Sequence, residues 1–341
     1  MFDSVGGSTM FSWRFWAAPG LLTILLITVV MGAFRTMHMP LKSFKGPLPA
    51  LTGEQEEMAK RLSISVRYLS ETIGERNVPH MGSLETTAVY LRGRLEEEGY
   101  SVKEVSYVLD GQTVSNVEAM IPGSGEEAIV VGAHYDSVLG TVGANDNCTG
   151  IAAVLELARR MRAFRPRKAI RFVFFVNEEP PYFQTDEMGS LVYAKRLKSE
   201  GVKVTAMISL ETIGHYSDVP GSQEYPVAIG MFYPKEGNFI GFVGNRESQE
   251  LVRHAIRAFR ETTSFPSEGI AAPEDWQGVG WSDHWSFWRE GVPAIMVTDT
   301  APFRYRHYHT RQDTADKIDF EKMARVVEGV HKVVERIANE P

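Results

Sequence analysis

The chain has 341 residues, a formal net charge of −7 and a single cysteine, Cys148. An acidic balance, with a pI near 5.8, argues against nucleic-acid binding, which requires a basic face, and a lone cysteine cannot form an internal disulfide. The length supports a sizeable core and one α/β domain behind an N-terminal segment.

Residues 1–14, polar and then aromatic, read as a tail, and residues 15–34 as a membrane span. From Ala17 to Phe34 there is no charge, and eighteen helical residues reach about 27 Å, close to the hydrocarbon core of a bilayer. Trp13, Phe15 and Trp16 suit the interface. A cleaved signal peptide is the competing reading, but this core is longer than a usual signal core, and Met31 fits poorly before a cut after Ala33. A single-pass anchor is expected, followed by a linker over 35–50 and a folded domain over 51–341. Arg14 precedes the span and Arg35, Lys42 and Lys45 follow it, so charge alone would set the domain on the cytosolic side.

Within 51–341, LTGEQEEMAKRLSISVRYLSET and SLETTAVYLRGRLEEEGY carry apolar residues at helical spacing, the second closing at Gly99. SVKEVSYVL and TVSNVEAMI alternate as strands around a turn at Asp110 and Gly111. The β-branched run from Ile129 ends in His134, a Gly- and Ala-rich loop delivers Asp146, and a helix begins near Thr149. RFVFFV then runs into Asn177, Glu178 and Glu179, and a helix is predicted from about Asp186 to Gly201. VTAMISLE ends on Glu211, and ESQELVRHAIRAFRETT forms an amphipathic helix. Phe265–Trp288 reads as a long aromatic loop walling a cleft, VPAIMVTDT as a strand, and FEKMARVVEGVHKVVERIA as the last helix. Repeated strand, helix and strand predict a three-layer α/β/α fold around a mixed, mostly parallel sheet.

Ligand-type side chains recur where these apolar runs end, which is where open α/β sheets place their ligands. His134 and Asp146 taken singly could equally be a packed imidazole and a helix cap. Adjacent Glu178 and Glu179 at a buried strand end repel each other unless a cation or a shared proton compensates them. With Glu211 and His309 they form an imidazole and carboxylate set of the kind zinc accepts; manganese or cobalt would also be tolerated. His254 and His331 lie in helix patterns and read as surface or packing residues, and Cys148 as small-residue packing.

AHYDS with GANDN, the NEE pair, SLETIG, WSDHWSF with GVPAIM, and HYHTRQDT occur in that order over roughly 51–338. In this the chain resembles the bacterial two-zinc exopeptidases related to leucyl aminopeptidase, glutamate carboxypeptidase and glutaminyl cyclase. The resemblance implies a peptide substrate and two zinc ions bridged by Asp146, one completed by His134 and Glu211, the other by Glu179 and His309. It implies Glu178 as the general base and Asp136 as the acceptor of the second His134 ring proton. It also implies that Asp283 and His284 border the cleft and that the domain acts outside the cytoplasm, against the charge rule. Glu211 stands where relatives often carry Asp, and Val279 where the best-known aminopeptidases carry an oxyanion-binding tyrosine, leaving Tyr233, Tyr305 and Tyr308 as candidates. Trp276, Trp281 and Trp285 point to an uncharged substrate side chain. A one-zinc glutaminyl cyclase and an inactive ectodomain that binds a partner are the alternatives, and nothing in the sequence fixes the oligomeric state.

Overall fold

Strands rich in β-branched residues assemble into one eight-stranded sheet in the computed structural model, which describes Met1, residues 36–226 and residues 228–340. The chain divides into two units, Met1–His38 and Met39–Pro341, and the second carries the sheet. The expected span over 15–34 lies outside the described residues. Among those described, no helix is long and apolar enough to cross a membrane.

Helix α1 (Gly53–Arg67) opens on a reciprocal cap, in which the Thr52 hydroxyl accepts the Gln55 N–H and the Gln55 side chain accepts the Thr52 N–H. Helix α2 (Met81–Glu97) leads into the hairpin of β1 (Val102–Leu109) and β2 (Gln112–Ile121). Asp110 and Gly111, at φ 49 and 79, supply the left-handed pair that a two-residue hairpin turn demands. There follow β3 (Glu127–His134), α3 (Gly150–Met161), β4 (Ala169–Phe175), α4 (Gly189–Ser199) and β5 (Lys203–Glu211). The remainder comprises β6 (Ile240–Gly244), α5 (Gln249–Thr262), β7 (Ser267–Ala271), the short α6 (His284–Arg289), β8 (Ala294–Thr298) and α7 (Phe320–Asn339).

The strand order is β1-β2-β4-β3-β5-β8-β6-β7. Strand β3 pairs in parallel with β4 and β5, as do β5 with β8 and β6 with β7; the pairs β1–β2, β2–β4 and β6–β8 are antiparallel. Alternate residues of a strand face opposite sides, and this divides the interior in two. Ile129, Val131, Phe172 and Phe174 pack with α1, α2, α3, α5 and α7 in the larger core, while Val130, Val173 and Phe175 meet Tyr193 of α4 and Phe287 of α6 on the other face.

The expected α/β sheet with flanking helices is present, but the sequence reading erred in detail. Phe265–Trp288 is not one loop, since it contains β7 and α6, and β6 was not anticipated. Five-residue strands such as IGFVG and SEGIA show too little alternation to be told from loops, and only pairing across the sheet makes them strands. Helix α4 starts at Gly189 rather than Asp186. Successive turns, Tyr182 N–H to the Glu179 carbonyl, Thr185 to Tyr182 and Met188 to Thr185, occupy the intervening residues.

Candidate metal centre

The parallel middle of the sheet brings the ends of β3, β4 and β5 side by side. His134 and Glu211 are the last residues of β3 and β5, and Glu178 and Glu179 lie just beyond β4. Asp146 and His309 arrive on loops and meet them. Asp146 stands between the two imidazoles, with Oδ1 3.2 Å from His134 Nε2 and Oδ2 3.0 Å from His309 Nε2. Glu211 Oε2 lies 3.3 Å from His134 Nε2, and Glu179 Oε2 lies 3.4 Å from His309 Nε2. Glu178 Oε2 is farther back, 3.9 Å from His134 Nε2. All six candidate residues therefore converge, in two imidazole and carboxylate pairs that share Asp146.

The electrostatics ask for a cation. Burial first, then the repulsion of neighbouring carboxylates, pushes Glu178 and Glu179 well above the usual carboxyl range, and burial raises Glu211. Burial would also raise Asp146, but the imidazoles of His134 and His309 on either side of it outweigh that and draw it down. His134 Nε2 is buried without a hydrogen-bond partner although it faces three carboxylates. Unpaired buried charges cost several kcal/mol each, roughly, and mixed imidazole and carboxylate donors suit a borderline divalent ion. His134, Asp146 and Glu179 each offer a ligand atom, all within 4.8 Å of one another. The residues fit a metal.

A second layer of buried groups holds these donors. The Asp136 carboxylate accepts the backbone N–H groups of Glu178 and Glu179, at 3.1 and 3.0 Å. Its Oδ1 is 3.5 Å from His134 Nδ1, while its own carbonyl oxygen is nearer, at 3.2 Å, and is the better acceptor of that ring proton. The Ser282 hydroxyl donates to Glu211 Oε2 at 2.8 Å, and the Val138 N–H donates to Glu179 Oε1. Asp313 accepts the N–H groups of Asn145 and Asp146, at 2.9 and 3.0 Å, and the Tyr305 hydroxyl. Asp299 accepts the N–H groups of Gly214 and His215 and the Asn145 side chain. Sequence reasoning missed Asp299 and Asp313. The first ends an apolar run just as His134 does, and the second lies in the quoted HYHTRQDT, so the signal existed for both.

Backbone geometry is unusual at the same places. Asn177, Thr212 and His309 have positive φ, at 59, 44 and 55, which side-chain-bearing residues rarely adopt and which recurs where function fixes the chain. Gly143, at φ 55, starts the Asp146 loop, and a Cβ there would lie 2.1 Å from the Asp146 carbonyl oxygen. Only glycine fits.

Of the tyrosine candidates, Tyr305 donates to Asp313 and Tyr233 to the Gly269 carbonyl, both away from the centre. Tyr308 stacks on His309 at 3.9 Å between ring centroids, and burial with the nearby carboxylates pushes its hydroxyl well above the usual value. Asp283 and His284 are fully buried, Asp283 raised to about 7 and His284 lowered to about 4 by burial. Cys148 is buried, its thiol pushed by burial up to about 11, which suits packing and not nucleophilic attack. His254 and His331 lie on α5 and α7 against Glu340 and Glu335, away from the centre. Beside Glu211 and Tyr308 opens a pocket with predominantly apolar and aromatic walls, among them Phe239, Trp276, Trp281 and Phe303.

The model for peptidase family M28 matches residues 116–334. The chain belongs to peptidase family M28. Within 280 residues it is 36% identical to the uncharacterised protein YfbL of Escherichia coli K12, covering 80% of this chain and 86% of that one. It is 28% identical over 243 residues to a probable leucine aminopeptidase of Trichophyton verrucosum, covering 67% of this chain but only 59% of the fungal protein. The M28 domain superposes on BSAP, a zinc aminopeptidase from Bacillus subtilis, with a TM-score of 0.65 at 15% identity over 83% of this chain and 95% of that one. A glutaminyl cyclase from Bacteroides thetaiotaomicron gives 0.62 at 19% identity, covering 86% of this chain and all 100% of the cyclase. At such identities these two structures speak for the fold of this M28 metallopeptidase.

Proposed function

We propose that this M28 metallopeptidase is a zinc-dependent aminopeptidase, held at a membrane by its N-terminal span with the catalytic domain outside the cytoplasm. The observation that carries the catalytic reading is Asp146 set between two imidazole and carboxylate pairs. His134, Asp146 and Glu211 would hold one zinc, and Asp146, Glu179 and His309 the other. Charge supports two ions, because the four carboxylates of Asp146, Glu178, Glu179 and Glu211 balance two dications. Bound there, the pair supplies Lewis-acid polarisation of the scissile carbonyl and eases deprotonation of water.

The protein's own groups do the rest. Glu178 is not needed as a ligand, and its carboxylate, set back from the other donors at 3.9 Å from His134 Nε2, suits a base that takes a proton from the attacking water and returns it to the leaving amine. Tyr308, whose ring stacks on His309 and which lines the adjoining pocket, would donate its hydroxyl hydrogen to the oxyanion. Acidic surroundings favour the cationic α-amine of a peptide, and among the described residues neither Lys nor Arg lines the adjoining pocket to receive a C-terminal carboxylate. Amino-terminal cleavage follows from that balance.

The test uses the full chain in detergent. Elemental analysis is expected to find close to two zinc ions per chain, and mass spectrometry the release of N-terminal residues from short peptides. Glu178→Gln is expected to keep its zinc and lose roughly 10²–10⁴-fold in kcat; loss of zinc in that variant would make Glu178 a ligand and overturn the assignment. Ammonia lost from N-terminal Gln peptides without chain cleavage would identify a cyclase. No change in any peptide would leave a binding module. Release of the chain from membranes by alkaline carbonate would overturn the anchor.

A further inference from the structure

The pocket beside the metal centre has a floor that the sheet register defines. Glu211 lies opposite Thr298 on β8, Thr298 opposite Gly241 on β6, and Gly241 opposite Glu268 on β7. Directly opposed residues share a face of the sheet, so these four form one row, and all four line the pocket. With strands about 4.8 Å apart, the row spans about 14 Å of backbone from Glu211 to Glu268. Gly241 keeps its middle low. A Cβ there would come within 3.2 Å of the Thr298 carbonyl oxygen and 3.3 Å of Thr300 Cγ2.

At the far end Glu268 is a carboxylate set in a predominantly apolar and aromatic enclosure. It is already ion-paired, with Oε2 3.6 Å from Arg260 Nη2, and its side chain is 22% exposed. A side chain reaching it from the metal centre must be long, must pass between aromatic walls, and gains most by donating a hydrogen bond at its tip. A neutral donor suits this end better than a cation, since Arg260 already balances the charge and an ammonium would be stripped of water among aromatic rings without a free counter-charge.

We infer that Glu268 is a specificity-determining residue, and that the row Glu211–Thr298–Gly241–Glu268 selects peptides whose N-terminal side chain is long and aromatic with a hydrogen-bond donor at its tip, tyrosine above all. The inference rests on the aminopeptidase reading above. Leucine is too short to reach Glu268, and phenylalanine reaches toward it without a donor.

The zinc-loaded full chain is assayed on the p-nitroanilides of tyrosine, phenylalanine, leucine and lysine. Tyrosine is expected to exceed phenylalanine by roughly tenfold in kcat/KM, the effect of one hydrogen bond to a charged group. Glu268→Ala is expected to bring that ratio to about one, and Gly241→Ala to lower the tyrosine-to-leucine ratio by roughly tenfold. Equal rates for tyrosine and phenylalanine in the unaltered protein, a preference for lysine, or ratios unmoved in both variants would overturn the assignment. Quenching of tryptophan fluorescence by tyrosinamide, beside Trp276 and Trp281, reads the pocket separately from hydrolysis. If no substrate is cleaved, the peptidase reading fails. Tyrosinamide binding tighter than leucinamide and weakened by Glu268→Ala would still uphold the pocket, and equal binding of the two amides would sink it.

Discussion

His134 and His309 make matching contacts to Asp146 but are held there by different means. His134 ends a central strand whose register with β4 pairs it with Phe175, and its side chain is 1% exposed. His309 sits on a loop at φ 55, 33% exposed, steadied by stacking on Tyr308. The strand-borne half of the centre, His134 and Glu211 with the Glu178–Glu179 pair behind β4, is fixed by the sheet itself. The loop-borne half, Asp146 and His309, depends on buried groups from distant parts of the chain, such as Asp313, 167 residues beyond the Asp146 N–H that it accepts. One centre thus combines a rigid half and a braced half.

That contrast can be broken most directly at the imidazoles. His134→Ala is expected to lose roughly 10³-fold in kcat/KM, about 4 kcal/mol of transition-state stabilisation, and His309→Ala a comparable amount. Millimolar imidazole added to the assay is expected to restore His309→Ala and not His134→Ala, because only the exposed position can be reached from solvent. Equal rescue of both would erase the distinction.

Tyr308→Phe sharpens the account of the braced half. Removal of one oxyanion donor costs roughly 10²–10³ in kcat, and KM and zinc content are expected to stay nearly constant. A variant with unaltered kcat would remove Tyr308 from the reaction. Asp313→Asn tests the bracing itself. Loss of a buried partner behind a metal ligand typically costs roughly 10–100-fold in metal affinity or activity, to be read by competition with a chromophoric chelator. A variant that binds zinc normally would show that the loop holds Asp146 unaided.

The smallest effect concerns the fold away from the centre. Burial pulls His331 down to about 4 in the folded protein, so between pH 6.5 and 4 the unfolded chain binds the extra proton and the folded chain does not. Stability therefore falls as pH drops through that window and is unaffected by this group above it. Urea titrations of His331→Gln are expected to show a shallower loss from pH 7 to pH 5 than the unaltered protein; identical slopes would mean that His331 titrates normally.

Much of the centre was legible in the sequence because its donors end long apolar runs or sit in short motifs: His134, Glu178, Glu179 and Glu211 after buried strands, Asp146 in GANDN, His309 in HYHTRQDT. Asp299 ends an apolar run too, after VPAIMVT, and carries the same signal, but only the fold shows that it braces the Asp146 loop through Asn145. The short strands β6 and β7 were illegible for another reason. Five residues carry almost no period, and their identity as strands comes from β8, which lies between β5 and β6 in the sheet although it follows both in the chain.

Local chemistry, then, settled which side chains could bind a metal and on which strand ends they stand, since apolar alternation and turn residues act over a few positions. Only the folded chain decided that Asp146 falls between two imidazoles, that Asp313 and Asp136 anchor the donors, and that a row of four strands runs from Glu211 to Glu268. Those relations join residues far apart in sequence, and they exist once the sheet register and the loops packed on it have closed.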